Sequence, residues 1–144
     1  MKRGSQLTLK INSLEFPSTG ISECEGKKIY VKGAFPGQTV KATVKKNREG
    51  YAEAKLVEVI ERAEYEIEPP CPHFGVCGGC SSQNLTYEKQ LELLSDEICE
   101  LFEEKDLPMG MYLGVKGSEN CWEYRNKMEF TFGDLEKGGE LTLG

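Results

Sequence analysis

Between residues 7 and 61, apolar and polar positions alternate with period two in four short runs. The runs are "LTLKI"; "KIYVKGA", with Ile29 and Val31 on one face and Lys28, Tyr30 and Lys32 on the other; "TVKATVKK", which sets Val40, Ala42 and Val44 against Lys41, Thr43 and Lys45; and "YAEAKLVEVIE". Period two predicts strands with one buried face. Turn signals fall at Gly20, at Glu25-Gly26, at Pro36-Gly37, which suits a type II turn, and from Asn47 to Gly50. Past residue 86 the period changes. Tyr87, Leu91, Leu94, Ile98 and Leu101 recur at spacings of four and three, predicting one amphipathic helix from 86 to about 104 with Thr86 as its N-cap. Pro108 and Gly110 stop it. Alternation returns at Met128, Phe130 and Phe132, with a turn near Gly138-Gly139 and a second strand after it.

Four or five short strands in roughly 60 residues are too few for a sandwich and fit a small closed or partly open barrel of the OB kind. The expected fold class is therefore mainly β with one helix. A barrel spans 1–64, "YEIEPPC" opens a linker and cysteine loop over 65–85, and the helix and a β-hairpin occupy 86–144. An apolar hairpin with no further partner is marginal in water, so the chain is expected to be the N-terminal portion of something longer, with an incomplete second domain.

Composition adds limits. The 144 residues are 38% hydrophobic and 29% charged, with no apolar run approaching the roughly 18 residues of a membrane span and no apolar core of a signal peptide, so the expected compartment is the cytoplasm. The net charge of −6 conceals two unlike halves. Residues 1–62 hold 12 Lys and Arg against 7 Asp and Glu, whereas residues 63–144 hold 6 against 17. Lys27, Lys28, Lys32, Lys41, Lys45, Lys46 and Arg48 form a stretch without an acidic residue. Such a footprint binds phosphates despite an acidic total, or else it is a solvated surface that blunts strand edges. Tyr30, Phe35 and Tyr51 lie among these cations, placed either to stack on bases or to fill the barrel's core and rim.

Six cysteines stand at 24, 71, 77, 80, 99 and 121. In a reducing compartment, three of them within ten residues point to a metal site more than to disulfides. In "CPHFGVCGGCSSQNL", Gly75, Gly78 and Gly79 let the backbone wrap closely around converging thiolates of Cys71, Cys77 and Cys80. Three ligands are an incomplete set. His73, the sole histidine, is too near Cys71 to turn back easily on the same ion, and the spacing is not the C-x3-C-x2-C of radical S-adenosylmethionine enzymes. Cys24 and Cys99 read as small apolar packing residues.

"CPHFGVCGGCSSQNLTYEKQL", followed some forty residues later by "WEYRNKMEFTFG", resembles the iron-sulfur-containing RNA (uracil-5-)methyltransferase family, in its branch acting on ribosomal RNA. "GKKIYVKGAFPGQTVKATV" is similar to the TRAM domain, the OB-like barrel that opens members of that family. The resemblance covers essentially the whole chain. It implies a 4Fe-4S cluster on Cys71, Cys77 and Cys80, with the fourth ligand expected beyond Gly144 and not at Cys121, which precedes the Y-R-N-K strand. The S-adenosylmethionine domain and the catalytic cysteine are expected later still, so these residues would supply recognition and no catalytic group. Implied RNA contacts are Lys27, Lys28, Lys32, Phe35, Lys41, Lys45, Lys46 and Arg48 on the barrel, and Arg125 and Lys127 at the start of the central domain. The expected partner is structured RNA, ribosomal by resemblance. Two other readings remain open: a standalone RNA-binding module with a zinc or iron-sulfur site, and an iron-sulfur sensor.

Overall fold

The computed structural model describes residues 1–76, 78–134 and 136–143. Its first sixty residues form six strands: β1 (Gln6–Lys10), β2 (Ser13–Glu15), β3 (Thr19–Cys24), β4 (Lys27–Lys32), β5 (Thr39–Asn47) and β6 (Tyr51–Glu61). They make one sheet in the order β1-β5-β6-β4-β3-β2, antiparallel except for the β4–β6 pair. β1 and β2 are therefore neighbours in sequence but stand at opposite ends of the sheet, and the two residues between them draw those ends together. The Ile11 amide donates to the Gln38 carbonyl, and the Asn12 amide donates to the carbonyl of Ile21 in β3, each at 2.9 Å. The sheet curls into a partly open barrel, as the strand count predicts.

The inward face is the one the alternation assigns. Ile29, Val31, Val40, Ala42 and Val44 are all 0% exposed, and Leu9, Ile11, Ala34, Ala52 and Ala54 complete the cluster. Several of these are alanines, because so small a barrel has little room inside. The inward positions of β3 are Gly20 and Ser22, both buried. A glycine and a serine carry no hydrophobic signal, so the pattern that reveals the other strands is silent here. Gly20 reads in the sequence as a turn; in the fold it lies within β3, paired with Val31. A Cβ at this position would stand 2.7 Å from both the Ala34 carbonyl oxygen and Ile11 Cγ2.

A second apolar layer lies outside the barrel, where Phe35 and Leu85, each 1% exposed, meet Leu14, Phe16, Leu93 and Leu94. The helix α1 (Tyr87–Glu104) seats here. Its N-cap is Thr86, whose hydroxyl accepts from the Lys89 amide, and Glu97 accepts the Phe16 amide at 3.0 Å. Residues 109–118 run along a neighbouring side of the helix, joined by Ser95–Tyr112 and Ser118–Tyr87 hydrogen bonds.

The hairpin is shorter than its alternation predicts. Among the described residues, only β7 (Phe132–Asp134) and β8 (Leu141–Leu143) pair here, with the turn at Gly138-Gly139 as expected. Met128, Phe130 and Phe132 remain 55%, 60% and 72% exposed, and a strand face with nothing packed on it gains little from extending.

Candidate nucleic-acid interface and thiol loop

The outward face of the barrel gathers residues from five strands into an open groove of about 470 Å³, lined by Glu15, Thr19, Tyr30, Lys32, Lys45, Tyr51, Glu53 and Ala54. Tyr30 and Tyr51 meet edge to face, with centroids 6.0 Å apart and planes at 84°. They come from β4 and β6, the parallel pair, and no local sequence pattern announces that these strands are neighbours. Lys45 reaches the groove through an irregularity: Val44 pairs with Ala54 and Lys46 with Glu53, so Lys45 is the extra residue of a bulge. Bulges re-aim side chains in this way.

The cations expected to meet phosphate divide into two groups. Lys27 donates to Asn47 Oδ1 and to the Arg48 carbonyl, at 3.1 and 2.9 Å, tying β4 to the β5–β6 turn. Lys46 pairs with Glu53 at 2.8 Å, and Lys127 with Glu129 at 2.8 Å. Among the described residues, the side chains of Lys28, Lys32, Lys41, Lys45, Arg48 and Arg125 have no ion pair or hydrogen bond. Lys41 is half-buried on β5, and Arg125 is exposed and remote in sequence from the barrel. Phe35, expected among the RNA contacts, is corrected by the fold: its side chain is 1% exposed in the layer beneath α1, and its amide donates to Gln38 Oε1 at 2.8 Å. It is packing, and its ring is not available to a base.

The thiol loop is fastened to the barrel through a polar network that the sequence does not disclose. Glu66 accepts from the Ala63 amide at 2.7 Å, from Gln38 Nε2 at 2.8 Å and from Asn84 Nδ2 at 3.4 Å. The Ile67 amide donates to the Asn84 carbonyl and the Thr86 amide to the Tyr65 carbonyl. The segment from 65 to 86 thus closes on itself and is more than a spacer. The Tyr65 hydroxyl donates to the Pro36 carbonyl, in the turn where Gly37 takes φ +85° as a type II turn requires. Burial, reinforced by the negative charges of Glu66 and Glu92, pushes the Tyr65 phenol up to about 12.

Within the loop, Gln83 touches two of the expected ligands. Its carbonyl oxygen accepts the Cys71 amide at 3.1 Å, and its amide nitrogen donates to Cys80 Sγ at 3.3 Å. Cys71 is half-buried and Cys80 exposed; Cys77 lies outside the described residues. The Gln83 side chain thus holds the backbone of Cys71 and the thiol of Cys80 on a loop with left-handed glycines at 75 and 78, and among the described residues no three metal-ligating side chains are gathered into one group. The His73 carbonyl accepts the Val76 amide in a backbone turn, and among the described residues its imidazole has no hydrogen bond or ion pair. Cys24 packs half-buried against the barrel core, as expected of an apolar thiol.

The fold is a small curled barrel with an aromatic and basic groove on its outward face. Residues 1–57 match the TRAM domain. Along its whole length it is related to the N-terminal portion of RNA methyltransferases. It is 51% identical over 144 residues to an uncharacterized RNA methyltransferase of Clostridium tetani, and 45% identical over 144 residues to one of Caldanaerobacter subterraneus. It is 36% identical over 138 residues, 94% of the chain, to the 23S rRNA (uracil(1939)-C(5))-methyltransferase RlmD of Alkalilimnicola ehrlichii. The chain spans about a third of the length of these relatives, 32%, 32% and 31% respectively.

Proposed function

We propose that this chain is the RNA-recognition and cluster-bearing part of an S-adenosylmethionine-dependent RNA (uracil-5-)methyltransferase that acts on ribosomal RNA. The observation that carries the reading is the groove of the TRAM barrel, where Lys32 and Lys45 stand without an ion pair or side-chain hydrogen bond among the described residues, beside Tyr30 and Tyr51. Ammonium groups on flexible stems meet phosphates, and exposed rings meet bases; the two together suit a single strand or an opened loop of structured RNA. Such contacts hold and orient the RNA more than they read it.

In the chemistry that the family resemblance implies, a cysteine thiolate adds to carbon 6 of the uracil. Carbon 5 then takes the methyl group, loses its hydrogen as a proton, and the thiolate is expelled. S-adenosylmethionine would supply the methyl group. The reaction requires the base to leave its stack, so a domain that grips unpaired RNA beside the target serves it directly. Cys71, Cys77 and Cys80 would hold the 4Fe-4S cluster, with a fourth ligand from elsewhere, and the loop would gain a covalent tie. The role assigned to it is structural, since methyl transfer of this kind has no redox step.

The test is binding of the chain to unpaired RNA across a salt series. Lys32→Ala and Lys45→Ala are each expected to weaken binding and to flatten the log-log salt slope by roughly 0.7, the value for one phosphate of a single strand. Lys27→Ala, whose ammonium is already committed within the barrel, should change the slope least. Equal slopes in all three variants would remove the groove from the RNA path.

A further inference from the structure

We infer that the Tyr30–Tyr51 corner is a pocket for a single unstacked nucleobase, with guanine as its preferred occupant because Glu15 lines the same groove. The inference rests on the RNA-binding reading of the barrel and adds to it a base-level selectivity.

Three observations carry it. First, rings meeting at 84° form an inside corner, so a planar base laid on one ring meets the edge of the other. A flush pair of rings would offer only a flat platform. Second, Lys32 and the bulge residue Lys45 line the groove around that corner, placed to hold the phosphates on either side of a base seated in it. Third, the groove contains two carboxylates in different states. Glu53 is bound by Lys46 at 2.8 Å, while the Glu15 carboxylate has no hydrogen bond or ion pair among the described residues.

A free carboxylate beside a base pocket selects by hydrogen-bond polarity. It only accepts, through two oxygens side by side. Guanine alone presents two adjacent donors, N1–H and the exocyclic amino group, that match both oxygens at once. Uracil offers one N–H between two carbonyl oxygens that the carboxylate repels, and adenine and cytosine each offer one amino donor beside an accepting ring nitrogen. Glu15 would also exclude phosphate from the centre of the groove and leave it to the flanking lysines.

The experiment is fluorescence anisotropy of the full chain with short labelled oligouridines carrying one guanine, one adenine or no purine. The guanine-containing strand is expected to bind tightest, by about tenfold over plain oligouridine. Glu15→Gln should abolish that preference and leave oligouridine affinity within about twofold. Tyr30→Leu and Tyr51→Leu should each weaken all strands by about tenfold without altering the salt slope, because stacking releases no counterions. The Tyr→Phe variants, which keep the ring, should bind like the parent and so separate lost stacking from lost fold. If the lysine variants lower the slope while the Tyr→Leu variants bind normally, the base pocket is overturned and the RNA reading stands. A guanine preference that survives Glu15→Gln overturns the assignment of guanine to that carboxylate. No binding of any strand at low salt overturns both readings.

Discussion

Gly20 and Tyr65 show how much of this fold depends on single positions whose importance is steric or electrostatic. At Gly20 a methyl group would press on a backbone carbonyl, which cannot swing aside as a side chain does. Gly20→Ala is therefore expected to destabilise the barrel by about 1–3 kcal/mol in urea unfolding, despite alanine's better strand statistics. Tyr65 predicts a pH effect. Its phenol ionises near 10 when unfolded and at about 12 when folded, so the unfolded chain loses its proton first and stability falls as pH rises through that window. Removing the hydroxyl in Tyr65→Phe should cost about 1 kcal/mol below pH 10, for the bond to Pro36, and the gap from the parent should close between about pH 10 and 12 in alkaline melts. At this scale the sequence is legible where a residue's type states its place, as at Val40, Ala42 and Val44. It is opaque at Phe35, where an aromatic among lysines suits a core and an RNA surface equally, and only burial decides.

Among the elements, β4, β5, β6 and α1 stand close to where periodicity and the Thr86 cap place them, and β2 and β3 do not announce themselves. The reason is physical: β2 has three residues, and the buried side of β3 is Gly20 and Ser22. The polar seam around Glu66 was equally hidden, because its partners Gln38, Ala63 and Asn84 are scattered along the chain. That seam is the joint between barrel and thiol loop. Glu66→Leu would leave the Gln38 amide and the Ala63 amide without their acceptor, each a part-buried donor, at a combined cost of about 2–4 kcal/mol. The loss is expected in urea unfolding, and faster amide exchange at Ala63 and Ile67 would locate it at the joint. Unchanged exchange there would mean that the apolar contacts of Leu85 hold the loop alone.

Over the whole molecule, structure thins out along the chain. The barrel and α1 are packed, while Leu113, Trp122, Tyr124, Met128, Phe130 and Phe132 are 98%, 54%, 67%, 55%, 60% and 72% exposed. Limited proteolysis should therefore cut first between about residues 119 and 131 and leave a fragment containing the barrel, thiol loop and helix. Initial cleavage inside 1–104 would contradict the packing described. The charge halves are legible from composition alone, and the thiol loop from its spacing. The groove is not, because its walls belong to strands distant in sequence and its key cation is aimed by a bulge.

The parallel pairing of β4 with β6 also sets an order of assembly. Tyr30 is made early, but the ring that completes its corner arrives only after β5 has crossed over and Tyr51 has followed it. During synthesis the Tyr30–Tyr51 corner therefore stays incomplete until nearly all of the barrel's own strands have emerged.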